Sequence, residues 1–414
     1  MKKYLLFLFL LVAATAHGQM VIKGQVIDEK SKGPLPGISI YINNSTIGTI
    51  TDAEGKFSLT VPFSGKMELV ASHVAYQKKT VLIEPGKNDG VLIPLKPEDK
   101  TLNEVVVKST RNKDDNFKKW GSLFTQILLG NDGHLRAYCK IKNPEVLVFY
   151  YDKESTNLRV FAKSALLIEN GFTGYLIKLD LEDFNYTFNN DIISFRYSSF
   201  FEDMKLGKAD LAQIKRNRNY AYYGSKMHFM RSVYDNNLTM EGFALYAYKA
   251  IKNKERARVA GIIQQKIGDG AKADSYYYIN NLFKSKDTVE YYKQIMRQDE
   301  VLAYDTTYLS ARRLATLNRA LGTVAFNFKD TLLVTYKIPL ANYNSYMTDK
   351  SKVPPGEKLK IKDKLTFMYF IENGSINIEK NGYYPETNLF IYGDMADRRI
   401  SQLLPWDFEP DKGS

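Results

Sequence analysis

The chain has 414 residues, of which 44% are hydrophobic and 25% charged, with a formal net charge of +12. At about 150 residues per domain this length predicts two or three domains with real cores, and the composition excludes a disordered or collagen-like chain. A mean hydropathy of −0.33, with no internal apolar run of about 18 residues, excludes a polytopic helical membrane protein.

The chain opens with Lys2 and Lys3, an apolar stretch from Tyr4 to Ala14, and small residues at Ala16 and Gly18. That order predicts a signal peptide over residues 1–18 with cleavage before Gln19, and an exported protein of the periplasm or outer-membrane periphery of a Gram-negative envelope. No cysteine stands at the cleavage point to accept lipid. Cys139 is the single cysteine, so no intramolecular disulfide can form despite export, and it reads as a buried structural thiol.

From Val21 onward short runs alternate with period two: Ile38, Ile40 and Ile42, then Phe57, Leu59 and Val61. Turn clusters separate them at Gly33–Gly37, Asn43–Thr46 and Asp52–Gly55. This pattern predicts a β-sandwich of six or seven strands over residues 21–96. In its central turn Asp52 can accept backbone N–H bonds, Gly55 can take a positive φ and Phe57 can plug the core, so all three read as structural. The residues Gly24-Gln-Val-Ile-Asp28, Pro34-Leu-Pro-Gly37, Thr51-Asp52-Ala-Glu-Gly55-Lys-Phe57 and His73-Val-Ala75-Tyr76 resemble the carboxypeptidase regulatory-like domain, a transthyretin-like sandwich. Ala75 stands where that family commonly has glycine, which implies a less tight turn.

Residues 97–111 read as a linker. Within it Leu102, Glu104, Val105, Val106 and Val107 are similar to the segment that follows this sandwich in TonB-dependent outer-membrane receptors. The 307 residues after Val107 leave too little chain for the receptor itself, whose barrel of 22 strands takes about 220 residues before its turns, loops and plug. The segment reads as one more strand, or as an extended partner strand offered to another sheet edge.

Residues 112–414 read as a mixed α+β domain. A helix is predicted from Phe117 to Leu129, stopped by Gly130, because Phe117, Trp120, Phe124, Ile127 and Leu128 recur at helical spacing. Strands are predicted at 136–141, 145–151, 158–167, 175–181 and 192–198 as an antiparallel meander. From Lys208 to about Ala250 the period becomes helical, with Leu211, Ile214, Phe229, Met230 and Val233 as apolar positions. A further helix is predicted with Leu314, Leu317 and Leu321 facing inward. Strands close the chain at 323–328, 332–338 and a hairpin of 367–372 with 376–380 around Asn373-Gly374. This region, notably Gly121–Leu129, Ala221–Tyr234 and Gly393–Trp406, resembles an uncharacterised part of exported Gram-negative proteins that carry the same sandwich.

Between Lys205 and Ile267 stand thirteen Lys/Arg against Asp210, Asp235, Glu241 and Glu255. Lys215, Arg216, Arg218, Arg256 and Arg258 in this stretch are candidates for binding an anionic membrane or glycan surface, although such runs are often only a solvated helical face. Export argues against nucleic acid.

The enzyme classes lack their residues. The sequence has no His-x-x-Glu, His-Glu-x-x-His, Gly-x-Ser-x-Gly or P-loop pattern, which leaves no metal site, nucleotide or cofactor to expect. Ser225 and His228, spaced i and i+3, with Asp235 beyond them, form the best catalytic constellation, yet no oxyanion donor is recognisable. A histidine at a helix seam is the plainer reading. The sequence therefore predicts a non-catalytic binding or scaffold protein of the envelope, with a protein partner in TonB-linked uptake. The alternative is an envelope hydrolase of peptide or glycan with an unrecognised active site.

Overall fold

The computed structural model describes residues 20–63, 65–98, 116–189, 191–267, 276–337, 364–371, 374–385 and 388–411. The segment 1–18 and the candidate partner strand 102–107 lie outside them. The fold is α+β. An antiparallel-rich β-sandwich comes first, and a larger region of sheets and helices follows.

Seven strands build the sandwich: β1 (Met20–Asp28), β2 (Ser39–Ile42), β3 (Gly48–Ile50), β4 (Lys56–Val61), β5 (Met67–His73), β6 (Tyr76–Ile83) and β7 (Val91–Leu95). One sheet has the order β4-β1-β7 and the other β3-β2-β5-β6. In β4 the alternation is complete: Phe57, Leu59 and Val61 are buried while Lys56, Ser58 and Thr60 are exposed. That is the signature of a strand with one wet face. In β2 the rule fails, because Tyr41 on the supposed polar face is buried together with Ile40 and Ile42. The second face of β2 is covered by the larger region.

The larger region starts with α1 (Asn116–Leu129), a short α2 (Gly133–Arg136), and six strands: β8 (Cys139–Ile141), β9 (Leu147–Asp152), β10 (Asn157–Ala162), β11 (Leu166–Asn170), β12 (Tyr175–Thr187) and β13 (Ile192–Asp203). Phe124 and Leu128 of α1 are fully buried, whereas Phe117 is exposed. Gly130 ends this helix with φ +118°. The strand expected at 136–141 begins as a helical turn, because the Asp132 side chain caps α2 by accepting from the N–H groups of His134 and Leu135. The single strand expected over 158–167 is two strands. The sheet is not a meander in chain order: β12 pairs along one edge with β11 and then β10, and along the other with β13.

Next come α3 (Lys208–Tyr222), α4 (Lys226–Tyr234), β14 (Phe243–Lys252), α5 (Lys254–Ile267), α6 (Tyr276–Leu282), α7 (Lys286–Met296), β15 (Val301–Leu309), β16 (Ala315–Asn318), β17 (Thr323–Asn327), β18 (Thr331–Tyr336), β19 (Lys364–Phe370), β20 (Ser375–Ile378), β21 (Leu389–Gly393) and α8 (Asp394–Asp397). Ile214, Phe229, Met230 and Val233 are buried as their spacing predicts, but Leu211 is exposed.

Two expectations here are overturned. The helix expected around Leu314–Leu321 is a 3-10 turn followed by β16, which pairs with β17 through Leu317 opposite Val324. The leucine spacing of three and then four imitates a helix, but the β-formers across the hairpin and Gly322 at φ +66° set a strand and turn. The hairpin expected between 367–372 and 376–380 does not form either. β19 lies between β18 and β21, while β20 pairs with β17 in a separate sheet. One core cluster runs from α1 through β9–β13 and α4 to β17–β20, and α5, α6 and α7 enclose a smaller core of their own around Val259, Ile263 and Ile279.

Candidate functional site

The sandwich carries two polar turns of similar composition with different surroundings. At Asp52, Oδ1 accepts from the N–H of Glu54 at 3.1 Å and of Lys56 at 2.7 Å. Gly55 has φ +68°, and a Cβ there would lie 2.6 Å from the Val26 carbonyl oxygen. Phe57 is buried beside Gly24, where an added Cβ would meet its ring. Its other partners lie within the sandwich, where the Val26 N–H donates to the Gly55 carbonyl at 2.8 Å and Gln25 Nε2 to the Glu54 carbonyl at 2.8 Å. The hairpin at His73–Tyr76 is also tight despite Ala75, since neither Val74 nor Ala75 needs a positive φ and the Ala75 N–H donates to His73 Nδ1 at 3.2 Å.

The other turn, Asn43–Thr46, finds its partners far along the chain. The Asn44 N–H donates to the Ser199 carbonyl at 2.7 Å, and the Asn44 carbonyl accepts from the Trp406 N–H at 2.7 Å. The Asn44 side chain accepts from Ser199 Oγ at 3.0 Å and donates to the Leu404 carbonyl at 3.2 Å. Asn43 Oδ1 accepts from the Ser199 N–H, and the backbone and hydroxyl of Thr46 both donate to Asp407. Around it, the Phe201 N–H donates to the Ser45 carbonyl at 3.0 Å, Tyr41 donates to Asp180 at 3.0 Å, and Lys78 pairs with Glu182 at 2.8 Å. Ser45 is completely buried. Asn44 sits at φ +55°, a left-handed conformation that asparagine tolerates better than most residues. Burial and the Asp180 charge push the Tyr41 hydroxyl well above the usual tyrosine range.

A cavity of about 460 Å³ opens beside this seam. The sandwich contributes Asn43 and Asn44, and the start of α4 contributes Ser225 and Lys226. Phe195, Leu389, Ile391, Leu403 and Trp406 give it apolar walls, and Tyr197 and Tyr384 give it phenols. Among the described residues its charged lining groups are Lys226, Arg398 and Arg399, all cationic. The volume falls within the range of small-molecule sites.

The sandwich geometry agrees with a family match. Residues 22–107 are a CarboxypepD_reg-like domain. That domain is about a fifth of the chain. A TonB-dependent receptor of Formosa agariphila is 32% identical over 91 residues, a match that covers 22% of this chain and 8% of the receptor. The chain thus spans only a small fraction of that relative's length. Among solved structures, a 9R-lipoxygenase from Cyanothece overlaps 53% of this chain and 49% of its own, at 9% identity and a TM-score of 0.15. A score that low carries no argument.

Outside the CarboxypepD_reg-like domain, the candidate basic residues differ in how they are engaged. Lys215 and Arg216 are exposed on α3. Arg218 is turned inward: it donates to the Thr173 carbonyl at 2.7 Å, pairs with Asp203 at 2.6 Å and lies 3.8 Å over the Tyr175 ring. Arg258 makes two bonds to Glu255 on α5, at 2.8 and 2.6 Å, and Arg256 lies 3.9 Å from Glu300. The single anionic-surface patch read from the charge run is therefore divided between two separately cored helices, with three of its five members already paired.

Ser225 and His228 do meet, but not as nucleophile and base. Ser225 is the N-cap of α4, its Oγ accepting from the His228 backbone N–H at 3.2 Å. His228 is buried among Tyr222, Tyr223, Phe243 and Tyr336. Its Nδ1 accepts from the Gly224 N–H at 3.0 Å, which leaves Nε2 to donate to Glu241 at 3.1 Å. Burial lowers its pKa despite that carboxylate, so the ring is neutral and engaged at both nitrogens. Asp235 ends the same helix as its C-cap. Cys139 is half-buried with its thiol pushed up to about 12 by burial, far from reactive thiolate character. Among the described residues no group of three or more His, Cys, Asp or Glu is placed to hold a metal ion, and no helix is long and apolar enough to cross a membrane.

Aromatic side chains gather in separate places. Phe149, Tyr151, Phe184 and Phe188 pack around Trp120 and Phe124 of α1. Tyr248, Tyr304, Phe367 and Tyr392 instead lie on the outer face of the sheet β15-β14-β18-β19-β21. Sequence reasoning missed the residues of the seam cavity. Its walls come from segments near 43, 197, 225, 384, 390, 398 and 404, and no spacing links them; the only available signal was the twin asparagine of a turn richer in side-chain hydrogen-bonding groups than its strands require.

Proposed function

We propose that this chain is a non-catalytic binding protein of the Gram-negative envelope, exported by residues 1–18, in which the sandwich of residues 21–96 and the mixed region of residues 112–414 act as one binding body in TonB-linked uptake. The observation that carries the reading is the seam. The Asn43–Thr46 turn is hydrogen-bonded to residues 199, 404, 406 and 407, and the same turn forms part of a cavity wall. A sandwich joined by a loose linker would place no such wall. Support for the TonB context is the receptor relative, whose similarity is confined to the N-terminal part. Support against hydrolysis is the engagement of both His228 nitrogens by structural bonds, which leaves Ser225 without a base there. The seam, rather than the divided basic residues, is the binding element.

The test is affinity purification of the tagged full-length protein from cross-linked, detergent-solubilised envelopes, beside a variant lacking Leu102–Val107. Recovery of a TonB-dependent receptor with the parent and its loss with the deletion would support the reading. Recovery of no receptor, or equal recovery from both, would sink the partner half of it.

A further inference from the structure

We propose that the seam cavity binds a carboxylate carried on an apolar body, with Lys226 receiving the carboxylate. The inference deepens the reading of the seam as the binding element and rests on it. Among the described residues three charged ones line the cavity, and none of them is acidic. Two of them are largely committed. Arg398 gives Nε to Asp394 at 3.0 Å and Nη1 to the Tyr223 carbonyl at 2.8 Å, and Arg399 donates to the carbonyls of Ile127 and Ala396. Lys226 is the exposed one, its ammonium 5.6 Å from the Tyr384 ring centroid and within reach of that phenol, and no carboxylate pairs with it among the described residues. An ammonium left facing an apolar-walled cavity, without a counter-ion, favours an anion there.

Three further features act in the same direction. Lys226 is the first residue of the nine-residue helix α4, whose N-terminus bears partial positive charge. Ser225 Oγ accepts a bond from the His228 N–H, so its own proton is free to be donated. Arg398, whose side chain is only 5% exposed, has an Nη2 without a hydrogen-bond partner. A buried unpaired guanidinium nitrogen is costly, and it adds uncompensated positive potential at the lining. The same cavity is lined by Phe195, Leu389, Ile391, Leu403 and Trp406. One accessible ammonium and one hydroxyl match a single negative charge better than a phosphomonoester dianion. The apolar walls require that the rest of the ligand be hydrophobic.

The chemistry fits a fatty acid or the C-terminus of a short hydrophobic peptide, and the titration separates them. The chain has two tryptophans, and Trp406 lines the cavity while Trp120 packs against Tyr151. In a Trp120→Phe background, Trp406 emission and calorimetry are followed as the purified full-length protein is titrated with decanoate, decanol and N-acetyl-leucyl-leucine. At least one carboxylate is expected to bind saturably, and the one that does identifies the source. Decanol, with the same body as decanoate and no charge, is expected to bind no better than about tenfold more weakly than the preferred acid. Lys226→Met is expected to weaken that acid about tenfold, to leave decanol unchanged, and to leave the melting curve unchanged because Lys226 is exposed. Absence of saturable binding by both acids, decanol binding as tightly as the preferred acid, or undiminished acid binding by Lys226→Met would each overturn the proposal. The experiment contains no envelope partner, so its failure and that of the receptor purification are read separately.

Discussion

The turns at Asp52–Gly55 and Asn43–Thr46 belong to one sandwich and are built from the same kinds of residue, yet they do opposite things. The first is closed by Asp52 on N–H groups two and four residues ahead, and nothing beyond the sandwich depends on it. The second, besides bonds to Glu68 and within itself, exchanges backbone and side-chain hydrogen bonds with residues more than 150 positions away. Composition alone does not separate a turn that completes its own strand pair from one that completes another region. The deciding fact is whether the strand beside the turn keeps a wet face. β4 keeps one and β2 does not, and Tyr41 is the residue where they part.

The largest effect on this contrast is expected from a residue in neither turn. Arg231, buried on α4, donates to the carbonyls of Asn381, Trp406 and Phe408, each at 2.9 Å. It thereby fixes the 404–408 segment that grips Asn44 and Thr46. Arg231→Met is expected to cost about 4 kcal/mol, because it leaves several enclosed carbonyls without donors. Denaturation followed by Trp406 emission should then precede unfolding followed by Trp120. Coincident transitions with both probes would mean that the segment is held without Arg231.

A smaller effect resolves the seam itself. Asn44→Ala removes two side-chain hydrogen bonds and imposes a left-handed φ of +55° on alanine, for an expected loss of about 3 kcal/mol. Asn44→Gly removes the same bonds without the strain, and its loss is expected to be about 2 kcal/mol. The difference between the two variants, read from urea midpoints at fixed slope, measures the backbone share. Equal losses would show that the turn relaxes its φ once its side chain is gone.

The same contrast explains what was legible in the sequence. Elements with one buried face declared themselves: Phe57, Leu59 and Val61 in β4, and Phe124, Ile127 and Leu128 in α1, follow the period of their element. Elements that owe their state to distant partners did not. Leu314, Leu317 and Leu321 carry helical spacing, but β17 makes the segment a strand. β19 and β20 were adjacent in sequence around Asn373-Gly374 and belong to different sheets. The cavity was invisible for the same reason, since its cations and its apolar wall come from segments far apart in the chain. The basic run misled because a charge count does not register that Arg218 is spent on Thr173 and Asp203, or Arg258 on Glu255.

The smallest effect is the one that tests whether the two turns are independent. Asp52→Ala removes the acceptor of two exposed N–H groups, which water can replace, and is expected to cost about 1 kcal/mol. The Trp120 and Trp406 transitions should shift together by that amount or less, because the sandwich weakens while the seam bonds stay intact. Combined with Asn44→Gly, the losses should add within about 0.5 kcal/mol, as for sites with no shared partner. A coupling larger than that would mean that the Asp52 turn transmits through β2 and β3 to the seam, and that the sandwich responds as a whole to what its docked end binds.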